Sequence, residues 1–286
     1  MSKNKPAISS DLLSGAASAL VSAADKSVES GALSRGMAVL SAVIAAARPL
    51  GLVEIEEAVG LSSSTCHRLL QTLIHAGYIY RDTSNRYYPT PRAVFPLVID
   101  HPLNLLRRDA SDSLKSLQRK YGPSVGLIVF MGTARLFVDV VLGQDNVAPY
   151  YETQVSLPLN STVSGKLLLS ELSQTARDEA LGPEPYPMRT PKTITTRKAL
   201  TKQLDQIAKE GIATNLGENI PGISAVGARL GVPGERAIGV IVITGPSKYF
   251  TASSIESMGA DLRECTGILS GTSLSVRAVA RFLNLG

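Results

Sequence analysis

The sequence predicts an α+β protein in two parts: a small helical unit with a β-hairpin, then a larger domain of alternating strands and helices. Three observations predict it. Gly60 to Leu73, GLSSSTCHRLLQTL, combines a turn, a capping serine and a helix with one apolar and one polar face. The 286 residues exceed a typical single domain. Beyond residue 123, strand-like apolar runs alternate with helical periodicity, and no internal repeat appears.

Composition bounds the reading. Hydrophobic residues make up 44% and aromatics 5%, which suits a helix-rich globular chain with ample core. The net charge of +5 permits a nucleic-acid partner. Residues 1–100 hold nine Lys/Arg against eight Asp/Glu, and residues 101–286 hold twenty against sixteen, so the excess is not in the first part. Locally it is: residues 61–92 carry Arg68, Arg81, Arg86 and Arg92 against Asp82 alone. Locality matters more, because phosphate attraction is screened over roughly 10 Å. Cys66 and Cys265 lie far apart in no CxxC or Cys/His cluster, so they read as reduced, buried thiols of a cytoplasmic protein without metal or cofactor. No run reaches the ~18 to 20 apolar residues of a membrane span. Lys3 and Lys5 before Leu12–Ala24 resemble a weak signal peptide, but Asp11, three serines and a glycine dilute the run. Residues 1–29 read as a flexible tail.

The first domain is expected over 30–92. Met37, Leu40, Ile44 and Ala47 fall at helical spacing until Arg48-Pro49-Leu50-Gly51 breaks the run. A short helix over Val53–Val59 turns Ile55, Ala58 and Val59 inward, and Gly60-Leu61 makes the turn. Ser62 then caps a helix whose inner face is Cys66, Leu69, Leu70 and Leu73, closed by Gly77. Its outer face carries Ser64, His67, Arg68, Gln71 and His75. Tyr78–Arg81 and Arg86–Tyr88 flank Asp-Thr-Ser-Asn as a hairpin. This order is that of a winged helix-turn-helix.

Prolines 89, 91 and 96 interrupt the chain, and 93–122 reads as a linker region with a helix through Leu103, Leu106, Ala110, Leu114, Leu117 and Tyr121. The second domain, 123–286, opens with strands over Val125–Met131 and Leu136–Val141. Helices over Ser164–Glu171 and Thr196–Glu210 follow, separated by a Pro-rich loop. A buried strand over Ala237–Thr244 precedes a helix through Ile255, Met258, Leu262, Cys265 and Leu269.

The helix from Ser62 has what a recognition helix needs: a short turn, an apolar docking face and a polar face for base edges. Arg68 suits guanine and Gln71 adenine, while Ser64, Thr65 and His67 suit bases or phosphate. Ser62 and Ser63 stand by free N–H groups that suit a phosphate, and Arg81 and Arg86 would charge the wing near the backbone or minor groove. The expected partner is double-stranded DNA, bound as a dimer, since one small helix covers little DNA.

The chain resembles the IclR family of bacterial transcriptional regulators over almost all of residues 27–284. SRGMAVLSAV (34–43), GLSSSTCHRLLQTL (60–73) and AGYIYRD (76–82) carry the resemblance in the first domain, with a looser RYYPTPR (86–92). LPLNSTVSGKLLL (157–169), RTPKTIT (189–195), GIATNLGENIPGISAVGA (211–228) and AIGVIVITGP (237–246) carry it in the second. The resemblance implies a winged helix-turn-helix, a linker helix and a GAF-like effector-binding domain. It also implies dimers or tetramers that repress or activate genes, commonly catabolic operons, in response to a small metabolite.

From the residues alone, LNSTVSGK is either a cradle for a carboxylate or a well-capped helix with a glycine at a close approach. The resemblance favours the ligand and implies a pocket of Val163, Ser164, Asn215, Ala225, Val242 and Thr244. Asn215 replaces a frequent acid, Ala225 a cysteine and Val242 a serine of that pattern. The expected effector is therefore an aromatic or partly apolar carboxylate held through Ser164 and Thr244, with Glu218 and Asn219 only stabilising their loop. Two other readings compete. One is a hydrolytic enzyme using Ser164 or Lys166, which lacks GxSxG, an SxxK at those residues, a P-loop and any histidine after His101. The other is a metabolite-binding or assembly module without DNA binding, against which the Arg68/Gln71 face counts.

Overall fold

The computed structural model describes residues 31–46, 48–94, 99–145 and 157–283, in two compact units, 1–98 and 99–286. The expected tail, Ala47 and Pro96 lie outside the described residues.

In the first unit, helices α1 (Ala32–Ala45), α2 (Leu52–Val59) and α3 (Ser63–His75) precede strands β1 (Ile79–Arg81) and β2 (Tyr87–Pro89) and a short α4 (Pro91–Val94). Their core joins Val39, Leu40 and Val43 to Ile55, Cys66, Leu69, Leu70, Ile79 and Tyr87. The inward face of α1 differs from the predicted one: Met37 is 54% and Ile44 39% exposed. Apolar residues run nearly all round α1, so spacing alone did not fix its phase. Packing against α3 did, with Gly36 turned toward Leu69. In α2, Ile55 is buried and Val59 half-buried, but Ala58 is exposed. Gly60 ends α2 at φ +65°, a left-handed cap that glycine adopts without a Cβ clash.

The wing is fixed at both ends. Asp82 Oδ1 accepts from the backbone N–H groups of Ser84 and Arg86, each at 2.9 Å, and the Tyr88 hydroxyl donates to Oδ2 at 2.9 Å. These bonds hold the Asp82 carboxyl below its ordinary value, the Arg86 N–H contributing most. At the other end Leu50 and Tyr87 exchange both backbone hydrogen bonds, so the connection before α2 acts as a one-residue third strand.

The second unit is built on a five-stranded, wholly antiparallel sheet of order β4-β3-β7-β6-β5. Its strands are β3 (Ser124–Met131), β4 (Ala134–Val141), β5 (Ile212–Leu216), β6 (Ile223–Leu230) and β7 (Gly239–Pro246). Antiparallel pairing makes the class α+β. Helix α5 (Pro102–Tyr121) precedes the sheet, and α6 (Val163–Ser170), α7 (Gln174–Leu181) and α8 (Arg197–Glu210) lie between β4 and β5. Helices α9 (Ala252–Thr272) and α10 (Leu274–Phe282) follow it.

Side-chain alternation splits the core into two layers. Val125, Leu127, Val129, Val226, Ala228, Ile241 and Ile243 meet α5, α9 and α10. Ile128, Phe130, Ala225, Val240 and Val242 meet α6 and α8. Burial on both faces explains why β3 and β7 read as continuous apolar runs. Helix α5, expected as a linker, instead places Leu106, Ala110, Leu114 and Leu117 in the core of this unit. His101 accordingly belongs to the second unit rather than preceding it; it caps α5, with Nδ1 accepting from the Leu103 N–H at 3.2 Å.

Candidate DNA-binding face and effector pocket

Cys66, Leu69 and Leu70 are buried under α3, while Ser64, His67, Arg68, Gln71 and His75 are all exposed. Ser62 occupies the N-cap with extended backbone, but its hydroxyl makes no cap bond; it donates to Thr65 Oγ1 at 3.0 Å. Thr65 is half-buried, and Ser63 is exposed on the first turn.

The arginines of the basic stretch divide by partner. Arg92 donates to Ala76 O at 2.9 Å and lies over the Tyr78 ring. Arg81 donates to Asn85 Oδ1 at 2.6 Å and faces Tyr87. Arg86, expected to charge the wing, pairs with Glu54 at 2.6 Å, and Arg48 reaches the same carboxylate at 2.6 Å. Glu54 also accepts from the Gly51 N–H at 2.7 Å, closing the N-terminus of α2. The Arg48 hydrogen bond, followed by that from Gly51, holds the Glu54 carboxyl down to about 2. Among the described residues, the side chains of His67, Arg68 and Gln71 have no hydrogen-bond or ion-pair partner.

In the second unit, all six residues expected to hold an effector converge. Val163, Ser164, Asn215, Ala225, Val242 and Thr244 line one cavity with Ile128, Thr162, Asn219, Ile220 and Ile223. Strand register brings them there: Thr244 stands opposite Ala225, which stands opposite Asn215. Thr162 caps α6, its Oγ1 accepting from the Gly165 N–H at 3.2 Å. A Cβ on Gly165 would lie 2.3 Å from Leu159 O, and one on Gly227 2.6 Å from Val163 Cγ1. Both glycines let α6 press onto the turn before it and onto the sheet, so the close approach and the well-capped helix coexist with the cavity. The cavity is narrow: only about 20 Å³ lies open to the centre of a water molecule, room for about one water. A wider groove of about 420 Å³ runs along β5 between α8 and α9, lined by surface Gln, Glu and Arg side chains with Ile207, Ile212 and Ile255.

Asn215 Oδ1 accepts from the Glu218 N–H at 2.7 Å, so its oxygen is spent on the loop. Asn219, expected only to stabilise that loop, lines the cavity and accepts from the Ser161 hydroxyl at 3.3 Å. Lys166 is fully buried and donates to both Glu218 carboxylate oxygens, at 2.6 and 2.7 Å, and to Thr214 O at 3.0 Å. Burial pushes its ammonium below the usual lysine range, against the pull of Glu218. Thr190 and Thr193 donate to the Gly217 and Glu218 carbonyls, tying the Pro-rich loop to the cavity rim. The sequence reading missed Arg135, which is 4% exposed on β4 and donates to Thr162 Oγ1 at 2.7 Å and Ser164 Oγ at 3.4 Å.

Residues 32–83 match the IclR helix-turn-helix domain, and residues 102–270 match the C-terminal domain of the bacterial transcriptional regulator IclR. The chain belongs to the IclR family. It is similar to a probable transcriptional regulator, SauR, of Cupriavidus necator, at 27% identity over 80% of this chain and 91% of that protein. It is also similar to the regulator XynR of Escherichia coli, at 29% identity over 67% and 77%. Among solved structures, IclR of Thermotoga maritima superposes with a TM-score of 0.66 at 25% identity, covering 88% of this chain and 98% of that one. An IclR homologue from Microbacterium hydrocarbonoxydans, solved with 4-hydroxybenzoate, shares the fold with a TM-score of 0.65 at 20% identity over 87% and 100%. As an IclR-family protein, this chain is a DNA-binding transcriptional regulator with a C-terminal effector domain. Among the described residues, no helix is long and apolar enough to cross a membrane.

Proposed function

We propose that α3 reads operator DNA in the major groove and that the cavity at the start of α6 takes a small, partly apolar carboxylate that sets operator affinity. The observation that carries the DNA side is the exposed triplet His67, Arg68 and Gln71, whose side chains have no partner among the described residues. A bidentate donor and an amide on an exposed helix face match guanine and adenine edges. Ser62, Ser63, Ser64 and Thr65 present hydroxyls and N–H groups to phosphate, and Arg81 adds charge on the wing, whose root Arg86 holds through Glu54. The protein acts in the cytoplasm as a homodimer or homotetramer at a catabolic operon, as repressor or activator. We read Ser164 and Lys166 as non-catalytic: Lys166 is locked in a buried pair, and the Ser164 hydroxyl accepts from Arg135 rather than facing a base.

Arg68→Ala tests the DNA side. Operator affinity, measured by gel shift on the chain's own upstream region, is expected to fall by about 1 to 3 kcal/mol, roughly 5- to 150-fold. The oligomer, measured by light scattering, should be unchanged; unaltered operator affinity would overturn the helix assignment.

The apolar cavity walls, Ile128, Val163, Ile220, Ile223 and Val242, support an aromatic acid over a small 2-oxo acid. A homologue of the same fold, 20% identical, was solved with 4-hydroxybenzoate. In its narrow form the cavity has to widen at its lining side chains to admit a ring. Calorimetry should detect 4-hydroxybenzoate, whereas tight pyruvate or glyoxylate binding with no aromatic-acid binding would rule the aromatic preference out.

A further inference from the structure

We propose that Arg135 makes this pocket selective for anions, with its charge delivered to the effector through the Ser164 hydroxyl. The inference rests on the reading that the cavity holds a carboxylate. Every residue lining the cavity is neutral. A carboxylate moved from water into such a site is strongly disfavoured unless charge or charge-assisted hydrogen bonds meet it. Two buried cations stand beside the lining. Lys166 is committed to both oxygens of Glu218 and to Thr214 O. Arg135, alongside its other contacts, reaches the lining itself: Nη1 donates to Thr162 Oγ1 at 2.7 Å and to Ser164 Oγ at 3.4 Å, and Nη2 donates to Leu157 O.

The two hydroxyls are not equivalent. Thr162 also accepts from the Gly165 N–H and donates its own proton to Pro158 O at 3.1 Å, so it has no proton left for a ligand. Ser164 accepts from Arg135 and makes no other side-chain hydrogen bond among the described residues. A hydroxyl that accepts from a guanidinium is polarised and keeps its proton to donate. The resulting chain runs from Arg135 Nη1–H to Ser164 Oγ, and from Ser164 O–H to the carboxylate. Arg135 is thus a positioning residue that never touches the ligand, and its signature is discrimination by charge rather than by shape.

The test uses probe pairs of equal shape and different charge, 4-hydroxybenzoate with 4-hydroxybenzamide and pyruvate with pyruvamide. Each is titrated calorimetrically into the full-length protein and its Arg135→Gln, Arg135→Lys and Ser164→Ala variants. The unaltered protein should prefer the better-binding acid over its amide by at least about tenfold. Arg135→Gln and Ser164→Ala should bring the two within about threefold, while Arg135→Lys retains part of the preference. A merely structural Arg135 would weaken acid and amide alike and leave their ratio intact, which would overturn the proposal. If circular dichroism shows that Arg135→Gln does not fold, Ser164→Ala and Arg135→Lys decide, since an unchanged ratio in Ser164→Ala removes the relay. Unaltered protein that binds no acid overturns the carboxylate reading itself, a result distinct from acid binding whose preference survives the variants.

Discussion

Lys166 and Glu218 form the most demanding contact at the residue scale, because both are buried and, among the described residues, each is the other's only ion-pair partner. Removing one partner of such a pair leaves an uncompensated buried charge and costs about 3 to 5 kcal/mol. Lys166→Met and Glu218→Gln should each lower the urea midpoint accordingly. The double variant Lys166→Met/Glu218→Met should lie closer to the unaltered protein than either single change, because two apolar groups leave no charge unpaired. A double variant as unstable as the sum of the singles would mean that the pair fixes the loop shape rather than balancing charge. Glu54 supports a pH prediction. Its folded value of about 2 lies below its ordinary 4.5, so the unfolded chain binds more protons between the two. The contribution is complete above pH 4.5 and is lost as pH falls toward 2. Thermal melts should therefore show a smaller loss of stability on acidification for Glu54→Gln than for the unaltered protein across that window, and parallel losses would refute it.

At the scale of elements, legibility followed contrast between faces. Helix α3 was readable in phase because Cys66, Leu69 and Leu70 oppose His67, Arg68 and Gln71, with Thr65 and Leu73 half-buried at the borders between the two faces. Helix α1 was readable as a helix but not in phase, since Leu33, Met37 and Ile44 offer apolar surface on the side that stays exposed. Strand β6 escaped notice because its segment is rich in Gly, Ala and Ser, residues with weak strand preference. Those small side chains are required where α6 lies against the sheet, as Gly227 shows under Val163. The six pocket positions came from matching blocks to a known pattern. Arg135 could not, because a single arginine at the start of an apolar strand reads as a surface residue, and only the fold carries its guanidinium under α6.

At the scale of the whole molecule, a ligand in the second unit and DNA on the first are linked by thermodynamics, whatever the path between them. An effector that changes operator affinity must have its own affinity changed by the operator by the same factor, typically about 5- to 150-fold. Titrating 4-hydroxybenzoate into free protein and into the protein–operator complex measures that factor; a pocket ligand with equal affinity for both states would not be a regulator. The reading unit constrains how such a signal is expressed. Leu50 stitches the wing to the connection before α2, and Glu54 clasps Arg86 at its root. If the wing docks on DNA as proposed, there is little disorder to remove from it, because that entropy was surrendered when the unit folded. The unit meets its operator as a preorganised template, so effector control has to be exerted through something other than the ordering of its wing.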